Sequence, residues 1–252
     1  MSTDTATDAP LTGRIHSLES GGMVDGPGIR FVVFTQGCPL RCLYCHHPDR
    51  QALWAGRDIT VDDLMKEFIK YRSYMRCTGG GVTLTGGEPL IQHQFTREVF
   101  RRCQELGIHT TLDTSGFANL NVAAKVLECV DLVLLCIKAF DADLHARVAG
   151  VPREPTLKFA QYLHEIKKPA WIRFVLVPGL TDHPANVEGM AQFLSGMRNI
   201  EKVEILPFHK MGEYKWERMG VDYALRDTQP PTPAQIEAVA HTFRQHGLTV
   251  AL

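Results

Sequence analysis

Short apolar runs alternate with amphipathic segments along most of this chain. Runs rich in β-branched and other apolar residues predict six buried strands, at 30–35, 82–85, 109–113, 132–137, 170–177 and 203–206. Apolar residues at helical spacing predict helices at 60–71, 95–106, 122–129, 141–148, 156–166, 186–197 and 233–245. This alternation predicts an α/β fold, with a parallel sheet and helices outside it. Six such units are too few to close an eight-stranded barrel.

The segment at 60–71 shows how a helix is predicted. Thr60 is a favourable N-cap residue, and the apolar side chains that follow recur at helical spacing, so we expect them to share one buried face. These side chains belong to Val61, Leu64, Met65, Phe68 and Ile69.

The composition excludes several classes of protein. Of the 252 residues 44% are hydrophobic, which is typical of a folded protein, and 27 Lys and Arg are balanced by 28 Asp and Glu. This balance indicates no nucleic-acid-binding surface, and no apolar run is long enough to span a membrane. The polar N-terminus lacks the apolar core of a signal peptide, and the seven cysteines are an odd number without disulfide-like spacing. We therefore expect a cytoplasmic protein with a flexible polar leader at 1–12 and one domain at 13–252.

Three cysteines directly after the first predicted strand are the most distinctive chemical feature. Cys38, Cys42 and Cys45 are separated by three and then two residues. Thiolates are soft ligands for iron–sulfur clusters and zinc, and three of them could hold three corners of a four-iron cube, leaving the fourth iron open. The alternative is a structural zinc site with His46 as fourth ligand, but zinc sites usually have two separated ligand pairs, and no second C-x-x-C occurs. Buried, chemically inert positions are expected for Cys77, Cys103 and Cys129.

Unusual residues also follow the later strands. The second predicted strand ends in Gly-Gly-Glu-Pro (86–89), the third in Asp-Thr-Ser-Gly (113–116), the fourth in Cys-Ile-Lys (136–138) and the sixth at His209. Because ligands bind at the carboxyl ends of parallel strands, we expect these residues to converge on one rim.

Several of these residues also have ordinary structural explanations. Glu88 could accept hydrogen bonds from an ammonium group, or its segment could be a plain strand-to-helix turn. Lys138 could be solvated or pair with a carboxylate, and His209 could contact a cofactor or be structural. Arg173 lies inside an apolar strand and needs a buried partner or a ligand; the ligand is the favoured interpretation. Asp25 resembles a turn aspartate.

Many short segments resemble the pyruvate formate-lyase activating enzymes, which are glycyl radical enzyme activases of the radical S-adenosylmethionine (SAM) superfamily. The C-x-x-x-C-x-x-C spacing, with Tyr44 before the last cysteine, is typical of that superfamily. Segments similar to the activases lie at 13–17, 25–30, 42–46, 62–67, 79–83, 107–110, 171–173 and 206–209. The resemblance implies a partial (β/α)6 TIM-type barrel that is open on one side.

The resemblance also implies a chemistry. One [4Fe–4S] cluster, held by Cys38, Cys42 and Cys45, would cleave SAM reductively to methionine and a 5′-deoxyadenosyl radical. This oxidoreductase would act anaerobically and take a hydrogen atom from a backbone glycine of pyruvate formate-lyase. Reduced flavodoxin or ferredoxin would supply the electron, and the enzyme would be a monomer. The positions implied to surround SAM are Tyr44, Cys45, His46, Gly87, Glu88, Cys136, Ile137, Lys138 and His209. The positions implied to be catalytic, near the glycine loop of the partner, are Asp25, Lys138 and Arg173.

One position departs from the activase pattern. The fourth strand of those enzymes ends in Asp-Leu-Lys, whereas this chain has Cys136-Ile137-Lys138. The aspartate of the family, with the positions of Asp113 and Thr114, is associated with a monovalent cation beside the SAM carboxylate. Such cations prefer oxygen ligands, and a cysteine offers a soft sulfur that is mostly uncharged. We therefore expect a weakened or absent cation site.

Three alternatives stay open at this point. An activase of a different glycyl radical enzyme would often carry additional cysteine clusters, and none lies between Cys45 and Cys77. A radical SAM enzyme that acts on a small molecule would need a closed pocket. A zinc-binding interaction module would contain zinc without iron or sulfide.

Overall fold

A computed structural model describes residues 10–252, and it contains a mixed α/β arrangement around one sheet. The strands are β1 (Thr12–Gly22), β2 (Arg30–Thr35), β3 (Arg57–Thr60), β4 (Gly81–Gly86), β5 (His109–Thr114), β6 (Leu132–Cys136), β7 (Ala170–Leu176), β8 (Ile200–Pro207) and β9 (Val250–Ala251). The helices are α1 (Val61–Thr78), α2 (His93–Glu105), α3 (Leu120–Leu127), α4 (Ala142–Ala149), α5 (Glu154–Glu165), α6 (Pro184–Ser195), α7 (Glu213–Arg218) and α8 (Pro233–Gln245).

The nine strands form one open sheet in the order β3-β1-β2-β4-β5-β6-β7-β8-β9. All pairs from β2 to β9 are parallel, whereas β1 pairs antiparallel with both β2 and β3. The predicted strands correspond to β2 and β4 to β8, so the expected α/β partial barrel, open on one side, is confirmed. The additional strands lie at the two edges of the sheet.

The N-terminal leader and the buried face of α1 were both predicted from the sequence. Residues 1–9 of the predicted leader lie outside the described residues, and β1 begins at Thr12. Of the face predicted for α1, four side chains are buried, but Ile69 is 57% exposed, so its predicted burial is wrong. Ile69 follows fully buried Phe68 by one residue, which rotates it about 100° around the helix and out of the apolar stripe.

The ends of α1 follow directly from its sequence. The Thr60 side chain accepts a hydrogen bond from the backbone N–H of Asp63 at 3.0 Å, which satisfies one free donor of the first turn. Gly79 ends the helix with a φ of 68°, a left-handed conformation that glycine adopts without steric cost. The helix is therefore fixed at both ends, and its apolar face packs on the sheet.

The parallel register brings several strand ends to one level. Thr35 of β2 is opposite Gly86 of β4, and Thr114 of β5 is opposite Leu135 of β6. The segments that leave these strands therefore start from the same edge. None of the helices described for residues 10–252 is both long and apolar enough to cross a membrane.

Candidate active site

A cavity of about 220 Å³ opens where the parallel strands end. Its walls come from the segment after β2 and from the ends of β4, β5, β6 and β7, so the predicted convergence on one rim is confirmed for these strands. It is lined by Cys38, Leu40, Cys42, Tyr44, Cys45, His46, Thr85, Gly86, Gly87, Asp113, Thr114, Ser115, Cys136, Lys138 and Val175. A larger cavity of about 640 Å³ is lined by residues of α4, α6 and their neighbouring loops and contains no cysteine.

The three cysteines of the motif lie together in this wall. The cysteine loop is held to the end of α4, because the N–H groups of Arg41 and Leu43 donate to the carbonyls of Ala149 and Val148 at 2.8 and 2.9 Å. The side chains of Leu40, Cys42 and Tyr44 line the cavity, whereas Arg41 and Leu43 line a separate groove. The loop is thus one layer thick, with the thiols on its inner side.

The thiols suit a metal cluster better than a single ion. Burial raises the pKa of Cys38 to about 12 and that of Cys42 to about 11, so the free thiols are uncharged, and a metal would displace their protons. Within residues 10–252, no group of three or more Cys, His, Asp or Glu is placed to hold one ion. A four-iron cube takes each thiolate on a different iron, so separated thiols around a cavity fit it. The zinc interpretation needs all its ligands on one ion and fits less well.

Tyr44 and Lys138 give the cavity unsatisfied polar character. The Tyr44 hydroxyl is buried and has no hydrogen-bond partner among the described residues, which is unusual for a buried polar group. Burial alone would lower the pKa of Lys138, but negative charge on its neighbours, in the ionised forms of Cys136, Cys42 and Tyr44 and on the carboxylate of Asp113, outweighs burial and raises that pKa well above its usual value. A positive charge is therefore held in the cavity, where an anionic ligand could meet it.

The two glycines at the end of β4 serve the packing of the protein itself. A Cβ on Gly87 would lie 2.0 Å from the carbonyl oxygen of Gly37, and one on Gly86 would lie 2.6 Å from the backbone nitrogen of Thr35. There is no room for a side chain at either position, so only glycine fits. The backbone after β4 consequently lies directly against the segment that leads into Cys38.

Glu88 does not line the cavity. It is 1% exposed, and its carboxylate accepts hydrogen bonds from Leu90 N, Thr114 Oγ1, Ser115 N and Ser115 Oγ at 3.1, 2.7, 2.8 and 2.5 Å. Burial raises its pKa. In this structure Glu88 fixes the end of β5. Its oxygens accept hydrogen bonds from four protein donors rather than from the ammonium group of a ligand.

Two further residues expected around a cofactor also lie apart from the cavity. Ile137 is fully buried within the hydrophobic core, so only its backbone could reach a ligand. His209 is exposed, and its ring packs edge-on against His46 with the ring centres 4.4 Å apart. His46 does line the cavity, so His209 supports it from outside.

Arg173 has protein partners, which was the less favoured of its two interpretations. Its guanidinium lies 3.1 Å from Asp113, 3.1 Å from Glu204 and 3.7 Å from Asp25, and it also donates to the carbonyl of Val24. Burial would lower the pKa of Arg173, but these carboxylates raise it above its usual value. The pKa of Asp25 is raised above its usual value, mainly by burial and to a smaller extent by the negative charge of Asp113. One guanidinium therefore joins three carboxylates beside the cavity.

Asp113 is the member of this network that reaches the cavity. One of its oxygens accepts from Thr85 Oγ1 at 2.7 Å and from Arg173 at 3.1 Å, and the other accepts from the Cys136 thiol at 3.6 Å. Burial raises the pKa of Cys136 to about 12, so this side chain is an uncharged thiol. The position that departs from the activase pattern is thus a donor to Asp113.

Sequence reasoning missed Glu204 and Arg30. Glu204 is one of several charged residues of β8, and only its register with Arg173 of β7 distinguishes it, which requires the strand pairing to be known. Arg30 is fully buried and donates to Thr83 Oγ1 at 2.9 Å and to Thr111 Oγ1 at 2.7 Å. Thr83 in turn donates to the carbonyl of Asp25 at 2.7 Å, so Arg30 helps to fix the turn that carries Asp25.

The family model of the radical SAM superfamily matches residues 32–193, which include the cysteine loop and most of the cavity wall. The chain belongs to the radical SAM superfamily. It is 46% identical over 239 residues to the pyruvate formate-lyase 1-activating enzyme of Escherichia coli (strain K12), an alignment that covers 94% of this chain and 97% of the relative. It is 43% identical to the pyruvate formate-lyase-activating enzyme of Staphylococcus epidermidis, over 93% of this chain and 95% of the relative.

Solved radical SAM structures share the fold. A domain of a pyruvate-formate lyase-activating enzyme from Bacteroides vulgatus superposes with a TM-score of 0.59 and 28% identity, over 68% of this chain and 98% of that domain. A radical SAM methyltransferase from Sphaerobacter thermophilus superposes with a TM-score of 0.66 and 18% identity, over 88% of this chain and 65% of that protein. The second likeness, at this low identity, concerns the fold alone.

Proposed function

We propose that this radical SAM protein activates pyruvate formate-lyase by forming a glycyl radical on it under anaerobic conditions. The observation that carries the proposal is the position of Cys38, Cys42 and Cys45 around one cavity at the strand ends. They occur in a chain that aligns at 46% identity, over 94% of its length, with an enzyme named for this activation. When bound, the [4Fe–4S] cluster supplies the electron that cleaves SAM to methionine and a 5′-deoxyadenosyl radical.

The chain's own residues bind and shield that chemistry. Cys38, Cys42 and Cys45 are the proposed cluster ligands, and the cavity beside them is the proposed SAM site. Lys138 keeps a positive charge there for the carboxylate of SAM, and the Tyr44 hydroxyl is free to donate to a ligand. The walls of the cavity would orient the cofactor and keep water from a reactive radical, which is the main task of a protein around such a cofactor.

The ion network beside the cavity is the proposed contact with the protein substrate. Asp25 and Arg173, together with Lys138, form the proposed catalytic set. Asp25 lies on a turn whose preceding residue, Val24, is 74% exposed, so the network extends from the cavity wall to the surface. The sheet is open at its edges, which leaves room for a glycine loop of a macromolecule to enter.

The proposed function also requires an electron donor and involves a cation site. Reduced flavodoxin or ferredoxin is the proposed electron donor, and a cytoplasmic monomer is the proposed working form. A monovalent cation beside Asp113 and Thr114 would be weakly held, because Cys136 provides a thiol where an oxygen ligand is preferred.

The test is anaerobic mixing of the reconstituted protein with pyruvate formate-lyase, SAM and a chemical reductant, followed by electron paramagnetic resonance. The expected result is a glycyl radical signal that requires all three components. Cleavage of SAM without a radical on pyruvate formate-lyase would point to another substrate. Protein that contains zinc, with neither iron nor sulfide, would contradict the proposal altogether.

A further inference from the structure

An arginine shortly after the cysteine loop, Arg50, is buried. Only 6% of the residue is exposed, and its guanidinium carbon lies 3.9 Å from the centre of the Phe34 ring. Its Nε is buried and has no hydrogen-bond partner, and within residues 10–252 no carboxylate lies within 4.0 Å of the guanidinium. Charged side chains are almost never buried without a partner, so the surroundings of Arg50 require an explanation.

The backbone at Arg50 is fixed to both ends of the cysteine loop. Its carbonyl accepts a hydrogen bond from the N–H of Gly37 at 2.8 Å, and the next carbonyl along the chain accepts from the N–H of Cys38 at 3.1 Å. The N–H of Arg50 donates at 3.0 Å to the carbonyl of His47, which is two residues after Cys45. Arg50 is therefore held beside the first and the last motif cysteines, although it does not line the cavity itself.

The positive charge of Arg50 persists in this buried position. Burial lowers its pKa to about 10, which leaves the guanidinium protonated at neutral pH. The groups whose negative charge acts on it from further away are Asp49, Cys45, Asp25 and Glu19. The Asp49 carboxylate, the strongest of these, already has the ammonium of Lys215 at 3.4 Å. A protonated guanidinium without a direct counter-ion in the described chain thus lies next to Cys45.

We infer that Arg50 is a counter-charge for the iron–sulfur cluster and makes that cluster easier to reduce. The inference rests on the proposed function, in which Cys38, Cys42 and Cys45 hold the cluster. Three thiolates make the cluster anionic, and reduction adds a further negative charge to it. A buried cation nearby stabilises the more negative state, because charges inside a protein are screened less than charges in water. The cluster gains one electron from a one-electron donor, and no bond or proton changes at Arg50.

The test is an anaerobic redox titration of the reconstituted protein, in which paramagnetic resonance measures the reduced cluster at each potential. Arg50→Met removes the charge and keeps a flexible apolar chain beside the Phe34 ring, whereas Arg50→Lys keeps the charge. At the midpoint potential of the natural protein, the ratio of reduced to oxidised cluster should fall about tenfold for Arg50→Met. For a one-electron couple this is a negative shift of about 59 mV. Arg50→Lys should recover most of the loss.

The matched control is Arg76→Met, which removes an exposed arginine from the last turn of α1. That helix leads into the start of β4, at the opposite end of the strands from the cysteine loop, so the ratio should be unchanged. An unchanged ratio for Arg50→Met with full iron content would overturn the inference. An equal fall for Arg50→Met and Arg50→Lys would also overturn it, because packing rather than charge would then be responsible.

Iron content shows whether each variant holds its cluster. Arg50→Gln is a second neutral variant, and it replaces Arg50→Met in the titration if only the methionine variant loses iron. Loss of iron from both neutral variants but not from Arg50→Lys would support the inference, because the charge would then be needed even for the oxidised cluster. Loss of iron from Arg50→Lys as well would overturn it. A natural protein that binds no iron would instead contradict the proposed function.

Discussion

At the scale of single residues, the three motif cysteines differ in their surroundings from Cys77, Cys103 and Cys129, which were expected to be buried and inert. Cys38, Cys42 and Cys45 share one cavity, whereas Cys103 is fully buried in the hydrophobic core. Cys129 is also buried, but Cys77 is exposed, so the expectation that Cys77, Cys103 and Cys129 are all buried is wrong for Cys77. It lies in the last turn of α1, on the solvent side of the helix.

Replacing any motif cysteine by alanine should abolish the cluster. Each of Cys38, Cys42 and Cys45 is one of only three proposed protein ligands, so the expected result for each variant is loss of both iron content and SAM cleavage. Iron analysis and 5′-deoxyadenosine formation measure this. Cys103→Ala is the control and should keep its iron at a packing cost of about 1 kcal/mol. Full iron and turnover in a motif variant would remove that cysteine from the ligand set.

The thiol of Cys136 should make activation nearly independent of monovalent cations. Asp113, the one anionic side chain at the expected cation position, already accepts from Thr85, Arg173 and Cys136. A cation would have to compete with the guanidinium for a carboxylate, without a second oxygen anion to help. Titration of potassium against activation rate should give a flat response for the natural protein and a stimulation for Cys136→Asp. Strong potassium dependence in both proteins would show that another group supplies the oxygen.

Arg173 should matter more for glycyl radical formation than for SAM binding. Arg173→Ala removes the guanidinium that joins Asp25, Asp113 and Glu204, and leaves three carboxylates without their shared counter-charge. We expect the rate of radical formation, measured by paramagnetic resonance, to fall about tenfold or more, with a much smaller change in SAM affinity. Arg173→Lys keeps the positive charge but loses the planar guanidinium that can bridge several carboxylates, so this variant separates the effect of charge from that of geometry. Equal loss of SAM affinity would assign Arg173 to the cofactor site.

At the scale of secondary-structure elements, local signals located seven of the eight described helices but missed the short helix α7 and the strands at the sheet edges. The predicted helix at 233–245 coincides with α8, because Thr232 and Gln235 form a capping box that local sequence displays. The edge strands β1 and β3 were missed: β1 is mostly polar and is held by backbone pairing with distant residues, such as Thr12 with Thr60. The cavity around the cysteines could be predicted from the positions of the strand ends alone. The Arg173 network could not be predicted, because it depends on the β7–β8 register and on a turn that is 148 or 149 residues away in sequence.

The N-cap of α1 offers a test of how much a local signal stabilises. Thr60→Ala removes the acceptor for Asp63 N and should destabilise the protein by about 1 kcal/mol, which lowers Tm by about 2–4 °C at this chain length. Anaerobic thermal unfolding measures the shift. Thr249→Ala is a suitable control, because Thr249 is exposed and lies outside the helices. A Tm unchanged for Thr60→Ala would show that tertiary packing alone fixes the start of α1.

At the scale of the whole molecule, the apolar interior is divided into two parts. The large core between the sheet and its helices includes Phe68, Phe100 and Phe174 and none of the motif cysteines. A smaller apolar group joins the cysteine loop to the end of α4 and to the segment after α7; it contains Leu40, Cys42, Tyr44, Val148, Ala149, Val177, Leu180, Phe208, Tyr223 and Leu225. The cysteine loop is therefore supported by its own group of contacts, and the large core does not depend on that loop.

This division predicts how the protein responds when its cluster is removed. Metal binding couples to the folding of the segment that provides the ligands, so the small apolar group should loosen while the large core stays intact. Anaerobic hydrogen–deuterium exchange of the cluster-free and reconstituted proteins tests this. The amides of Arg41 and Leu43, which are held only by the end of α4, should exchange about tenfold faster or more without the cluster. Amides of β5 and β6 should be unchanged, since they lie within the main sheet. Loss of protection across β5 and β6 as well would show that the cluster stabilises the whole fold.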